Sequence, residues 1–172
     1  MLSIFSRSKD DQSPVSPKLS ITIRWMIRPD ITQVLHIENE SFDFPWTLDD
    51  LVRHLRNRDT IGMVAEHKDE VVGYMVYHLG KHSIDVLNFA VDPNYRRRGV
   101  GIAMAEKLAA KLSDGRRKRL SVKVRETNLG AQLFFKRCGF RATAVLRDVY
   151  EETREDAYLM VYRVKAKETA HD

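Results

Sequence analysis

From Ile21 onward the apolar positions of this chain change period several times, and each change marks an element. Ile21, Ile23 and Trp25 alternate with Thr22, Arg24 and Met26, a period of two that predicts a first strand. Arg28-Pro29-Asp30 breaks it and offers Asp30 as a helix cap. Ile31, Val34, Leu35 and Ile37 then recur at helical spacing and predict a helix to about Ser41. Phe42-Asp43-Phe44-Pro45-Trp46 interrupts it, and Thr47-Leu48-Asp49-Asp50 opens a second helix to about Arg56. Three β-rich runs follow, Ile61 to Glu66, Val71 to His78 and Ile84 to Val91, separated by polar turns that make them an antiparallel meander.

Asp92-Pro93-Asn94 ends the meander, and an Arg/Gly stretch leads into a helix from about Gly99 to Leu112. Its stripe of Ile102, Ala105, Leu108, Ala109 and Leu112 is ordinary core packing. Ser113-Asp114-Gly115 is read as its stop, and Leu120, Val122 and Val124 alternate as another strand. A Thr127-Asn128 cap, a helix to Cys138 with Gly139 after it, and strands near Phe140 to Val149 and Asp156 to Val164 complete the order β-αα-βββ-α-β-α-ββ. That order is an α/β (α+β) fold, a mixed sheet with helices on both faces and no internal repeat. Residues 1–20, rich in serine and without an apolar period, read as a disordered leader, 21–164 as the domain and 165–172 as a polar tail.

With 172 residues, 43% hydrophobic and 31% charged, the chain fits one domain with one core. A mean hydropathy of -0.41 and the lack of any apolar run near the roughly 20 residues needed to cross a bilayer exclude an integral membrane helix. Met1 to Phe5 is too short for a signal sequence core. The single cysteine, Cys138, rules out an intramolecular disulfide and points to a reducing compartment. A soluble, cytoplasmic protein is expected. Histidines 36, 54, 67, 78, 82 and 171 show no metal-ligand spacing, so no metal is expected. Charge is polarised: residues 92–147 hold 15 Lys+Arg against 4 Asp+Glu, although the whole chain is only +5. One side therefore meets something anionic, whether a nucleotide-like cofactor, nucleic acid or an acidic surface.

The sharpest local feature is Asp92-Pro93-Asn94-Tyr95-Arg96-Arg97-Arg98-Gly99-Val100-Gly101, between a β-branched strand and an amphipathic helix. The first-turn N–H groups of a helix lack internal partners, and its dipole places about half a positive charge there, which suits a pyrophosphate. Glycines at 99 and 101 allow close backbone approach. The spacing matches neither a P-loop nor a dinucleotide fingerprint.

Arg96-Arg97-Arg98-Gly99-Val100-Gly101 resembles the [QR]-x-x-G-x-[GA] signature of the GCN5-related N-acetyltransferases (GNAT). Further stretches resemble the RimI-like branch, which acetylates protein N-termini. They are Ile37-Glu38 with Ser41-Phe42 and Phe44-Pro45-Trp46; Asn88-Phe89-Ala90-Val91-Asp92-Pro93; Val124-Arg125-Glu126-Thr127-Asn128 with Cys138-Gly139-Phe140; and Glu155-Asp156-Ala157-Tyr158-Leu159-Met160. The resemblance spans about Ile21 to Val164 and implies a mostly antiparallel GNAT-like sheet, with acetyl-CoA in a gap between the strands ending at Val91 and Arg125. It places Phe89, Ala90 and Val91 on the pantetheine and thioester. Arg97, Arg98, Gly99, Val100, Gly101 and Ile102 would cradle the pyrophosphate, with Asn128 on the cofactor arm. The implied reaction is direct attack of a neutral amine on the thioester, with a backbone N–H near Ala90 for the oxyanion and no covalent enzyme intermediate.

The family's general-base glutamate and its acid tyrosine fall on Lys123 and Phe135, so both usual proton-transfer groups are missing. Other residues or water do the work, or the protein binds the cofactor without turnover. Asp85 is the first replacement, because strict alternation puts Asp85, Leu87 and Phe89 on one face; it is otherwise an exposed strand-start aspartate. Lys123 is a desolvated base, a partner for Asp85, or a solvated lysine. Tyr150 grips the acceptor or donates to sulfur, or only packs. Phe44, Pro45 and Trp46 form a wall beside the acceptor amine or a plug between helices, and Glu38 holds an acceptor N-terminus. Cys138 reads as a buried helix-end residue. Arg116 to Arg119 touch RNA or the cofactor's 3′-phosphate, or form a solvated turn, which is the reading adopted. The expected partners are acetyl-CoA and an acceptor amine on a protein N-terminus, ribosomal among the options. No membrane and no nucleic acid is expected, and the protein acts as a monomer or a dimer. An acceptor on a lysine or small molecule, and a non-catalytic CoA-binding module with an RNA-binding face, are the alternatives.

Overall fold

The computed structural model describes residues 19–113 and 116–164. Most of the expected leader, the polar tail and the Asp114-Gly115 pair lie outside the described residues. Leu19 already packs on the core and the Ser20 carbonyl contacts His67 Nδ1 at 2.8 Å, so the domain's contacts begin two residues before the expected boundary.

The elements are β1 (Thr22–Trp25), α1 (Ile31–Ser41), α2 (Leu48–Leu55), β2 (Thr60–His67), β3 (Glu70–Leu79), β4 (Ser83–Val91), α3 (Val100–Ala109), β5 (Arg119–Arg125), α4 (Leu129–Arg137), β6 (Arg141–Tyr150) and β7 (Glu155–Arg163). Among the described residues, single 3-10 turns at Arg28–Asp30 and Pro93–Tyr95 are the only additions to the expected order. The seven strands form one sheet, β1-β2-β3-β4-β5-β7-β6, antiparallel throughout except for the β4–β5 pair.

Local chemistry explains the boundaries. Thr47 and Asp50 form a reciprocal capping box at α2, Thr47 Oγ1 accepting from the Asp50 N–H at 3.2 Å and Asp50 Oδ2 from the Thr47 N–H at 2.9 Å. Gly139, at φ +87°, supplies the left-handed residue that ends α4. α3 stops at Ala109, short of the expected Leu112, and its exit continues as i→i+3 bonds from Lys111 and Leu112. Asp30 sits at the α1 cap position without capping: its carboxylate accepts from the Ile27 N–H and from the guanidinium of Arg24, which also holds Glu66. The nearby guanidinium was the stronger partner, and it keeps the Asp30 carboxyl below the usual carboxylate range.

The sheet divides two apolar layers. On one face α3 and α4 bury Val100, Met104, Leu108 and Phe135 against Ile84, Val86, Leu120 and Val122. On the other, α1 and α2 bury Val34, Ile37 and Leu51 against Val64, Tyr74, Val76 and Ala90. Each such fully buried aliphatic side chain contributes about 1.5–3 kcal/mol. No helix among the described residues is long and apolar enough to cross a membrane.

Candidate active site

The site begins where the sheet opens. β4 and β5 pair from Ser83 with Arg119 to Val86 with Val122 and stop there, although β4 runs on to Val91 and β5 to Arg125. Beyond Val86 the facing edges lack each other as partners, and unpaired backbone in a sheet invites an extended ligand as a substitute strand. Just at this point β4 carries a bulge against β3: Val76 pairs with Asn88 and Tyr77 with Val86, leaving Leu87 extra. The bulge reverses strand parity. Ile84 and Val86 face α3 and α4 before it; Phe89 and Val91 do so after it, while Asn88 and Ala90 turn toward α1 and α2.

At the mouth of the opening stands the N-terminus of α3. Gly99 is its cap residue at φ +89°, a conformation suited to glycine, and Arg97 two residues earlier is also left-handed at φ +59°. With no side chain at Gly99 to cap the helix, and the first internal bond running from the Ala103 N–H to the Gly99 carbonyl, the N–H groups of Val100, Gly101 and Ile102 are free for an external acceptor. A Cβ at Gly101 would lie 2.9 Å from the Phe134 ring of α4 and 3.6 Å from Val91. The glycine therefore lets α3 approach α4 and β4 closely, which narrows the role expected from its spacing alone. Arg96 is committed elsewhere: its guanidinium donates to the Val91 carbonyl at 2.9 Å and to Ser41 Oγ at 3.0 Å, joining the turn to the end of α1. Arg98 lies over the Tyr95 ring, and neither Arg97 nor Arg98 enters an ion pair with a described residue. Asn128 caps α4, its Oδ1 accepting from the Ala131 N–H at 2.9 Å. The glycine-bearing start of α3 thus stands beside the end of β4 at Val91, and Phe89, Ala90 and Val91 lie on the stretch of β4 past its last pairing with β5.

The opposite face is held by a buried carboxylate. Glu38, 2% exposed, accepts from the Trp46 N–H at 2.6 Å, from Asn88 Nδ2 at 3.1 and 3.2 Å, and from the Tyr74 hydroxyl. Burial and the neighbouring carboxylate push the Tyr74 phenol well above its ordinary value, so it remains the donor. The structure corrects the reading of Glu38 as an acceptor-binding residue: its oxygens are engaged by the chain's own donors, and it fixes the 42–46 loop from beneath. The loop divides the two readings offered for it. Trp46 is the plug, stacked on His54 at 4.2 Å and packed on the α1–α2 layer, while Phe44 is 48% exposed and lies beside the Arg125 guanidinium. Arg125, at the end of β5, spans the gap between Phe44 (5.4 Å) and the Tyr150 ring of β6 (3.7 Å), and is held by Glu155 at 3.4 Å and Thr153 at 3.1 Å. Burial raises the Tyr150 phenol above its ordinary value, with Arg125 opposing, so it stays protonated near neutrality.

Asp85 is not where alternation placed it. The Leu87 bulge puts it on the face opposite Phe89, where Ser83 Oγ at 3.2 Å and Ser121 Oγ at 2.5 Å donate to its carboxylate, in the paired part of the ladder before the opening. Lys123 is exposed and makes no ion pair with Asp85. Phe135 is buried among Phe89, Phe134 and Phe140 and occupies its position with hydrocarbon. Cys138 is fully buried, which pushes its thiol up to about 12 and leaves it unreactive. Sequence reasoning missed Tyr74, which has no local motif, and the role of Asn88, which stood in a quoted motif without one; the available signal was an acid, Glu38, one turn after Val34 on the apolar face of α1.

Residues 31–140 match the model of the acetyltransferase (GNAT) family. The chain is 27% identical over 141 residues to the [ribosomal protein bS18]-alanine N-acetyltransferase of Escherichia coli K12, covering 81% of this chain and 95% of that one. It is 29% identical over 144 residues to the N-alpha-acetyltransferase of Sulfurisphaera tokodaii, covering 76% and 86%. The solved structure of Ard1 from Thermoplasma volcanium superposes with a TM-score of 0.77 at 28% identity, over 86% of this chain and all of that one.

Proposed function

Because the chain belongs to the acetyltransferase (GNAT) family and is an N-acetyltransferase with acetyl-CoA as acetyl donor, we propose that its acceptor is the N-terminal α-amine of a protein, as in the RimI-like enzymes. One observation carries the reading: the two carboxylates proposed from sequence for the site, Glu38 and Asp85, are both engaged by the chain's own donors. Glu38 is saturated and buried, Asp85 is tied to two serines, and the positions of the family's base and acid hold Lys123 and Phe135. An α-amine, with a reference pKa of about 8, presents roughly a tenth of its molecules uncharged at pH 7, whereas lysine at about 10.4 presents fewer than one in a thousand. A site without a strong base suits the first and not the second. The names of the relatives, which include an alanine N-acetyltransferase and an N-alpha-acetyltransferase, support the same reading.

Acetyl-CoA supplies an acetyl group already activated as a thioester. The residues of the chain do the rest. The first turn of α3, with Gly99, Val100, Gly101 and Ile102, would hold the pyrophosphate together with Arg97 and Arg98; the open edge of β4 at Phe89, Ala90 and Val91 would align the arm, and Asn128 would hydrogen-bond it. A backbone N–H near Ala90 would be the donor for developing negative charge on oxygen; that of Phe89 already donates to Asn88 Oδ1 at 2.9 Å. Phe44 and Tyr150, bridged by Arg125, wall the acceptor entrance, and the Tyr150 phenol is the remaining proton donor beside it. Water carries away the proton of the incoming amine.

Incubation with acetyl-CoA and a set of short peptides, followed by mass spectrometry that distinguishes α-amine from lysine acetylation, tests the assignment. Acetyl groups on free N-termini and none on N-terminally blocked peptides with lysine are expected. Modification of lysine or of polyamines alone would overturn it.

A further inference from the structure

A second strongly basic place lies at the other end of the sheet. At about 3.3 Å per residue, β4 separates it from the α3 cradle by roughly 25 Å. Here the turn between β3 and β4 folds onto the connection that enters β5. Arg117 Nε donates to the Gly80 carbonyl at 2.7 Å, the Lys118 N–H to the His82 carbonyl at 3.2 Å, and the Ser113 N–H to the Arg117 carbonyl at 2.9 Å. These bonds hold open a cleft of about 300 Å³ lined by Lys81, His82, Arg116 and Arg117. The positions read from sequence as a solvated turn are thus half of a concave site, completed by Lys81 and His82 from a distant segment.

The cations continue beyond the cleft. Lys118 and Arg119 follow it, and Arg119 lies directly opposite Arg163 in the β5–β7 ladder. Like charges facing one another across strands destabilise a sheet. Among the described residues, no carboxylate forms an ion pair with Lys81, Arg116, Arg117, Lys118, Arg119 or Arg163; the five ion pairs found among them lie elsewhere. A row of cations with no ion-pair partner among the described residues, across the ends of three strands, is matched by a ligand carrying several spaced negative charges. The lining decides what kind. Protein–protein interface cores are enriched in aromatics and depleted of charge, whereas nucleic-acid interfaces are polar and strongly positive. The residues lining this cleft are two arginines, a lysine and a histidine.

We propose that the Lys81–His82–Arg116–Arg117 cleft, extended by Lys118, Arg119 and Arg163, binds the phosphate backbone of a nucleic acid. The inference stands on the placement of charge and does not depend on the identity of the acetyl acceptor. Backbone recognition reads no bases, so it is salt-sensitive and sequence-tolerant.

The test uses the full chain saturated with CoA, so that the α3 cradle is filled, and follows fluorescence anisotropy of a short labelled RNA duplex and a DNA duplex of equal length over a salt series. Binding of either duplex, with affinity falling steeply as salt rises, is expected. The double variant K81E/R116E should weaken it by at least roughly tenfold and reduce the log–log salt slope by about 2, one unit for each phosphate no longer neutralised. Its thermal midpoint and CoA affinity should match the parent protein, which separates this result from misfolding and from failure of the acetyltransfer site. Absence of duplex binding at low salt, an unaltered slope in the double variant, or equally tight binding of polyglutamate would each overturn the proposal. Full competition by inorganic triphosphate at one equivalent would also overturn it, in favour of a small phosphorylated ligand.

Discussion

The two sides of the opening between β4 and β5 are made of different materials. The cofactor side is backbone: a left-handed Gly99, the free N–H groups that follow it, and a strand edge from Phe89 to Val91 without a β5 partner. The acceptor side is side chains from segments far apart in sequence, with Glu38 gathering Trp46, Tyr74 and Asn88, and Arg125 spanning Phe44 and Tyr150. A backbone site depends on conformation and tolerates change in most neighbouring side chains, provided the glycines remain. A side-chain site can lose individual groups and keep its shape, as the lysine at 123 and the phenylalanine at 135 illustrate. On the proposed reading, the donor-binding side keeps the glycines of the family signature, while Lys123 and Phe135 stand where the resemblance implies a glutamate and a tyrosine.

The contrast can be broken most severely at Gly101. Gly101→Glu forces a Cβ to 2.9 Å from Phe134 and sets a carboxylate beside the anion cradle. Acetyl-CoA affinity by calorimetry should fall at least about a hundredfold, roughly 2.8 kcal/mol at 1.4 kcal/mol per tenfold. Unchanged affinity would remove the cradle from the account. On the other side, Glu38→Ala strands three buried donors and should cost about 3 kcal/mol of stability, lowering the thermal midpoint by roughly 6–12 °C for a domain of this size. A midpoint within a degree or two of the parent would mean that the network does not hold the loop.

A gentler change sharpens the comparison without disturbing the fold. Tyr150→Phe keeps the ring under Arg125 and removes only the hydroxyl, so kcat/KM for the peptide should drop about ten- to a hundredfold if the phenol transfers a proton, while acetyl-CoA affinity stays as it was. Equal losses in donor affinity and peptide turnover would show that the ring is merely structural. The smallest effect concerns acid stability. The Asp30 carboxyl is held below its ordinary value chiefly by its hydrogen bonds from Arg24, so its contribution is present above the unfolded value of about 3.9 and is lost as pH falls through the lower folded value. The denaturant midpoint should decline below about pH 4, and Asp30→Asn should flatten that decline; a parallel decline in the variant would assign it to other carboxylates.

These differences also separate what could be read from the sequence from what could not. Glycines and periodicities are local signals, and they carried the element order, the strand-to-helix cradle and Gly139 as the end of α4. The acceptor face depends on parity and on long-range partners. One extra residue, Leu87, was enough to send Asp85 to the wrong side of the sheet, because nothing in an alternating β-branched run marks a bulge. Asp30 occupied a cap position, yet Arg24 and Glu66 drew its carboxylate into an ion-pair cluster whose third member comes from β2. Glu38 is joined to residues up to 50 positions away, so its role as an anchor is visible only once α1 is laid on the sheet.

The central claim is that the chain acetylates an amine whose neutral fraction, rather than a carboxylate of the enzyme, governs the rate. The most direct measurement is kcat/KM against pH, by thiol release under saturating acetyl-CoA, for two peptides whose α-amines differ in pKa by an electron-withdrawing first residue. Each profile should rise with unit slope to a plateau at that peptide's own amine pKa, near 8 for an ordinary N-terminus, at about the reference value. A break at one pH common to both peptides would reveal an enzyme base, and absence of thiol release with any free N-terminus would contradict the assignment outright.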